Sequence, residues 1–279
     1  MSPLPIGVAL GTVGLGADDW LRASARLASA PIDRLWIWDH LMGRGAPDRV
    51  VLESTTLAAT LLARHPTLQV GTLVLDVTKR HPALTAKIAA TLDAVAPGRF
   101  TLGIGAGGDA AEHDALGMAY GDVAERIALL TDQVNVARAM LSGNPSERIT
   151  LPGRGRLNGA ASSPRPGARL RLLIAGDHPS SIRLAATSAD EWVAPVATFA
   201  AGHVLLREAE RAVGRAEPPV RSLVLHQLGA QEPFADSPFG QKPERVVAEA
   251  EEAGADGLIV TVRTARDADV AALLIEKLR

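Results

Sequence analysis

Asp39 and His40 close the apolar run Leu35-Trp36-Ile37-Trp38. A carboxylate beside an imidazole at a strand end can hydrogen-bond a heterocycle and move a proton. The same pair also suits the capping of a loop or helix. A second group is the segment RFTLGIGAGG, where an apolar run feeds into Gly103, Gly105, Gly107 and Gly108. Such spacing either makes a tight turn or brings bare backbone against something flat or anionic. Gly103-x-Gly105-x-x-Gly108 formally fits a dinucleotide fingerprint, but that motif belongs to a first βαβ unit with an acidic residue about 20 positions on. Here the strand is the fourth, and Asp122 and Glu125 open a helix instead. A third group is Gly176-Asp177-His178-Pro179-Ser180-Ser181, where a strand meets a helix whose N–H groups could hold a phosphate. A plain cap by Asp177 with a proline in the first turn explains the same residues.

Other chemistries are excluded or poorly supported. The chain has no cysteine, so it has no disulfide, thiolate metal site or cysteine nucleophile. Its histidines form no His-Glu-x-x-His pair, and Glu112-His113-Asp114 reads as a solvated turn before a helix, so no metal is expected. Neither a Gly-x-Ser-x-Gly elbow nor a phosphate-binding P-loop occurs. A net charge of −2 gives no bulk attraction to nucleic acid or anionic membrane. No apolar run approaches the roughly 18 residues of a membrane span, and the N-terminus lacks a basic leader. The expectation is a cytoplasmic protein acting on a small molecule.

The elements that must position these groups alternate. Candidate strands are 6–10, 34–38, 68–75, 100–104, 170–175, 191–194, 221–226 and 257–262, each followed by a helical stretch. The predicted helices are 18–30, 50–64, 81–95, 122–141, 179–189, 201–215, 243–253 and 267–278. In 81–95 the pattern puts Leu84, Ile88, Leu92 and Val95 on one stripe that stops at Pro97-Gly98. With 47% hydrophobic residues and about eight such units, the chain reads as one domain over 1–279, a (β/α)8 barrel. Residues 142–169, rich in Gly, Pro, Arg and Ser, break the rhythm as an irregular excursion. In a barrel the ligand meets the C-terminal strand ends, where all three groups fall. Trp36 and Trp38 share one face of their strand, lining the barrel or packing against helices.

These segments, in order, resemble the luciferase-like flavin oxidoreductases, in the branch that uses the deazaflavin coenzyme F420. The residues are IGVALG, LWIWDHL, VGTLVLDVTKRHPALTAKIAATLDAVAPGRFTLGIGAGG, EHDALG, SSPRPGARLRLLIAGDHPSSIRLAATSADEWVAP and PERVVAEAEEAGADGLIV. The Trp-Asp-His strand end points most specifically to the deazaflavin branch. The resemblance implies a luciferase-like TIM barrel with the ring over its mouth, Asp39 contacting the ring and His40 as acid/base. It implies a bulge in the third strand with a non-proline cis peptide at Leu73-Val74 backing one ring face. Gly105, Ala106 and Gly107 would approach the cofactor, and Gly176, Asp177 and His178 its phosphate. The glycines would then be clearance for the ring.

The implied reaction is hydride transfer between deazaflavin and an organic substrate. FMN-dependent two-component monooxygenase activity is the rival on the same fold, and a non-catalytic flavin-binding or scaffold barrel is another. Where the sugar-phosphate dehydrogenases of the branch carry an acid, this chain has Gly108, which argues against glucose 6-phosphate as substrate. Family members are commonly dimers, so a homodimer is a further expectation.

Overall fold

The computed structural model describes residues 3–43, 46, 48–141, 149–151, 155–160, 162–164, 170–215, 219–229 and 232–279. Its elements, in chain order, are β1 (Ile6–Leu10), α1 (Ala17–Ala28), β2 (Leu35–Ile37), α2 (Ser54–Arg64), β3 (Val70–Thr72), β4 (Leu75–Asp76), α3 (Pro82–Val95) and β5 (Phe100–Gly105). There follow α4 (Ala110–Ala115), α5 (Val123–Leu141), β6 (Ile149–Leu151), β7 (Gly155–Leu157), β8 (Arg171–Ala175), α6 (Pro179–Ser188) and β9 (Glu191–Pro195). The chain ends with α7 (Val196–Ala212), β10 (Arg221–His226), α8 (Pro238–Gln241), α9 (Pro243–Glu252), β11 (Gly257–Val262) and α10 (Ala265–Lys277).

Parallel pairing runs β3-β2-β1-β11-β10-β9-β8-β5 and closes through β3–β5, giving an eight-stranded barrel ringed by helices. This is the (β/α)8 architecture the strand order predicts. Two departures matter. The single strand expected over 68–75 is split into β3 and β4, and the Leu73–Val74 peptide between them is cis, where the resemblance implies it. The irregular excursion contains an antiparallel ribbon, β6 with β7, while 142–148, 152–154, 161 and 165–169 lie outside the described residues. No helix among the described residues is long and apolar enough to cross a membrane.

The barrel interior is filled from β2. Trp36 packs with Ala9, Leu173, Val193, Leu223, Leu225 and Ile259, and Trp38 borders the same cluster. This settles the alternatives for the tryptophans in favour of lining the barrel. Space for the Trp36 indole comes from glycines on both neighbouring strands: a Cβ at Gly7 would lie 2.7 Å from its Nε1, and one at Gly71 would overlap its six-membered ring. Gly71→Ala therefore costs about 1 to 3 kcal/mol through overpacking. Chemical denaturation monitored by tryptophan emission measures it, and an unchanged midpoint would contradict the packing.

The face of α3 differs from the expected stripe. Leu84 and Val95 are 53% and 56% exposed, whereas Thr85, Ala86, Ala89, Ala90, Leu92 and Asp93 are buried. Small side chains let this helix lie close to β5 and α5, so its inward face is marked by size rather than by hydrophobicity.

Candidate functional site

The third strand and the glycine run make one construction at the barrel mouth. Thr72 uses its hydroxyl in place of the backbone ladder: Oγ1 donates to the Gly103 carbonyl at 2.8 Å and accepts from the Gly103 N–H at 3.0 Å. A Cβ at Gly103 would collide with the Thr72 carbonyl oxygen, and one at Gly105 would come 2.7 Å from Val74 Cγ2. At Gly107, with φ of +85°, a Cβ would meet the Asp76 carboxylate at 2.7 Å. Within the chain itself the bulge and Asp76 already demand these glycines, apart from any clearance a ligand would need. Leu73, Val74, Ala106 and Gly107 remain half-buried at the mouth.

Asp39 and His40 part company. Asp39 is 6% exposed, with Oδ1 accepting from Ser54 Oγ and Arg80, and Oδ2 from the Asp76 N–H and Arg80. Those bonds occupy the acceptor positions of both oxygens, and through them the carboxylate anchors β2 to β4 and α2. His40 is partly exposed and turns Nδ1 toward Glu112 Oε2 at 3.4 Å, with Trp38 edge-on to its ring at 6.4 Å.

Glu112 is the hub that the sequence reading missed. The expected solvated turn at Glu112-His113-Asp114 is instead part of α4, with Glu112 5% and His113 1% exposed. The Glu112 carboxylate accepts from the Leu41 and Met42 amides and from Lys79 Nζ, the last at 2.6 Å. Burial by itself would raise this carboxyl, but the hydrogen bonds from Lys79, Leu41 and Met42 outweigh it and hold it down to about 2. Lys79 is itself buried and also donates to the Asp39 carbonyl at 2.9 Å. Arg80 reaches on to Glu53, whose carboxyl, despite burial, is lowered to about 2 by the Thr56 and Thr55 bonds at the start of α2.

Lys79 and Arg80 lie just past the third strand. That position, at a barrel strand end, is the signal the sequence carries for them.

Gly176 follows β8, whose Ala175 is in register with Gly105, so the two glycine turns stand side by side. His178, not Asp177, caps α6: its Nδ1 accepts the Ser180 N–H at 3.2 Å, with Pro179 as first helical residue. His81 and Pro82 do the same at α3. Asp177 is exposed, and Gly176 has φ of +136°.

His40, Asp109 and Glu112 bring ligand atoms within 4.8 Å of one another. The Glu112 oxygens are already engaged by Lys79, His40 and two amides, so an ammonium holds the place a cation would take. A cavity of about 600 Å³ lies at the opposite, N-terminal end of the strands, among Arg34, Arg171, Asp190, Glu191, Arg215 and Arg221. Its charges are largely committed to one another and to helix-end carbonyls, as with Arg215 on Ala186 and Ala189.

Known proteins share this fold and parts of this sequence. An F420-dependent glucose-6-phosphate dehydrogenase of Kineococcus radiotolerans is 30% identical over 164 residues, covering 58% of this chain and 48% of the relative. The pyrimidine monooxygenase RutA of Enterobacter cloacae is 29% identical over 207 residues, 70% of this chain and 52% of the relative. The chain thus spans about half the length of the curated relatives it matches. A solved F420-dependent secondary alcohol dehydrogenase, in complex with an F420-acetone adduct, superposes with a TM-score of 0.81 at 16% identity over 99% of both chains. The relatives so named are oxidoreductases, dehydrogenase and monooxygenase alike. Residues 5–232 match the model of the luciferase-like monooxygenases, and the chain belongs to that family.

Proposed function

We propose that this protein is an F420-dependent oxidoreductase in which His40 exchanges the proton that accompanies hydride transfer to or from a small organic substrate. The observation that carries the reading is the orientation of His40, with Nδ1 given to Glu112 and the ring beside Trp38 at the barrel mouth. That leaves Nε2 for a substrate oxygen. When bound, the deazaflavin supplies the hydride donor or acceptor.

The residues present fit such a group. Leu73 and Val74 offer a half-buried apolar surface to back a ring, and the Gly105–Gly107 turn exposes backbone rather than side chains. Gly176, Asp177 and His178, alongside that turn, take the phosphate end. Asp39 contributes from behind, by fixing the strand that carries His40. Glucose 6-phosphate is not the substrate in this reading: Gly108 supplies no acid, and Glu112, the nearby buried carboxylate, is bound to Lys79. The match to RutA, a pyrimidine monooxygenase, supports a second reading, an FMN-dependent monooxygenase.

Fluorescence titration of the purified protein with F420 and with FMN tests both. Binding of F420 in preference to FMN is expected, and binding of neither sinks the proposal. With F420 bound, turnover is screened over alcohols, aldehydes and ketones by the loss or recovery of deazaflavin fluorescence. His40→Ala should lower kcat by about 10²- to 10⁴-fold with cofactor binding retained. Unchanged kcat would remove His40 from the mechanism.

A further inference from the structure

Beneath the Gly105–Gly108 turn lies a buried cluster that the proposed chemistry does not use. Asp76 ends β4, Thr78 follows two residues on, and His113 comes from α4 with its side chain 0% exposed. His113 Nδ1 is 2.7 Å from the Asp109 carbonyl oxygen, so this nitrogen carries a proton. Its Nε2 is 2.5 Å from Thr78 Oγ1, which is in turn 2.5 Å from Asp76 Oδ1. Contacts this short between atoms bearing lone pairs each require a proton. Thr78 brings one, and the second has to come from the histidine or the aspartate. Asp76 Oδ2 lies 3.6 Å from Nε2 and faces that same nitrogen, so the geometry places the second proton on the ring.

We infer that Asp76, Thr78 and His113 form a buried proton relay, an imidazolium and a carboxylate bridged by a hydroxyl, that positions His40. The path is short. His113 holds the Asp109 carbonyl, Asp109 Oδ1 accepts the Glu112 N–H at 3.2 Å, and Glu112 holds His40. On its other side the Asp76 carboxylate sits under Gly107. The relay therefore ties the end of the third strand, the glycine turn and α4 into one unit.

Asp39, Glu112 and their cations surround it as ion pairs. The Asp76 N–H donates to Asp39, which is bound to Arg80, and Glu112 is bound to Lys79. Tyr120 packs on His113 at 4.8 Å, and the Arg126 guanidinium lies over the Tyr120 ring at 4.1 Å. The Asp109 carboxylate is engaged at the start of α4.

The relay stands without any cofactor, so it is tested on the unliganded full chain, whereas its positioning role rests on His40 acting at the mouth. Imidazole ¹⁵N resonances are recorded at pH 7 and those of His113 identified by their loss in His113→Gln. Two protonated ring nitrogens on His113 are expected. Thr78→Val should leave Nδ1–H alone and shift the His40 resonances, while Thr78→Ser, which keeps the hydroxyl, should preserve both signals. A wild-type His113 protonated only at Nδ1 overturns the relay. Unmoved His40 resonances in a folded Thr78→Val protein, as judged by circular dichroism, overturn the positioning role.

Discussion

Glu191→Gln lowers the stability of the barrel by about 3 to 5 kcal/mol, the cost of breaking a buried ion pair and stranding its partner. Glu191 opens β9 at the N-terminal end of the barrel strands and is 1% exposed. Its carboxylate takes both ends of the Arg34 guanidinium, at 2.6 and 3.3 Å, and Arg221 at 2.9 Å. Arg34 is also fully buried, stacked 4.7 Å above the Trp36 ring. Glutamine keeps the size and loses the charge, so two arginines face a neutral amide. Reversible chemical denaturation reads the loss. Removing the buried pair together, in Arg34→Met with Glu191→Leu, should recover most of it, because a well-packed apolar replacement carries no uncompensated charge. A single variant within 1 kcal/mol of wild type would falsify the account.

Glu112→Gln has a comparable effect at the other end, about 3 kcal/mol, and a characteristic pH dependence. Lys79, its side chain 2% exposed, loses its carboxylate partner, and the amides of Leu41 and Met42 lose a charged acceptor. The Glu112 carboxyl is held at about 2 in the folded chain, below its ordinary value of 4.5. The unfolded chain therefore takes up the proton first as pH falls. The stabilisation is complete above about pH 4.5 and is lost progressively down to about pH 2. The difference in unfolding free energy between wild type and Glu112→Gln should shrink across that window. Glu53 titrates in the same range and is common to both proteins, so it cancels in the difference. A difference that stays constant from pH 7 to pH 3 would exclude Glu112 as the source.

Periodicity by itself determined the barrel. β1, β10 and β11 begin and end where the apolar runs do, because strands buried on both faces leave an unbroken hydrophobic signature. The strand ends also located His40 and the two glycine turns, since a barrel exposes one end of every strand to a ligand.

What the sequence did not determine is which side chains meet. Lys79 and Glu112 are 33 residues apart, and Arg34 and Glu191 157, and no local pattern records a contact made by closing a ring of strands. Burial reversed one reading for the same reason. Glu112 and His113 look like solvated surface until α4 buries them, and the partners of Asp39, Arg80 and Ser54, come from distant segments that no local pattern joins to it. The glycines of RFTLGIGAGG were legible as places where a side chain cannot stand. Only the tertiary structure decided what stands there instead: a threonine carbonyl, a valine methyl and the carboxylate of Asp76.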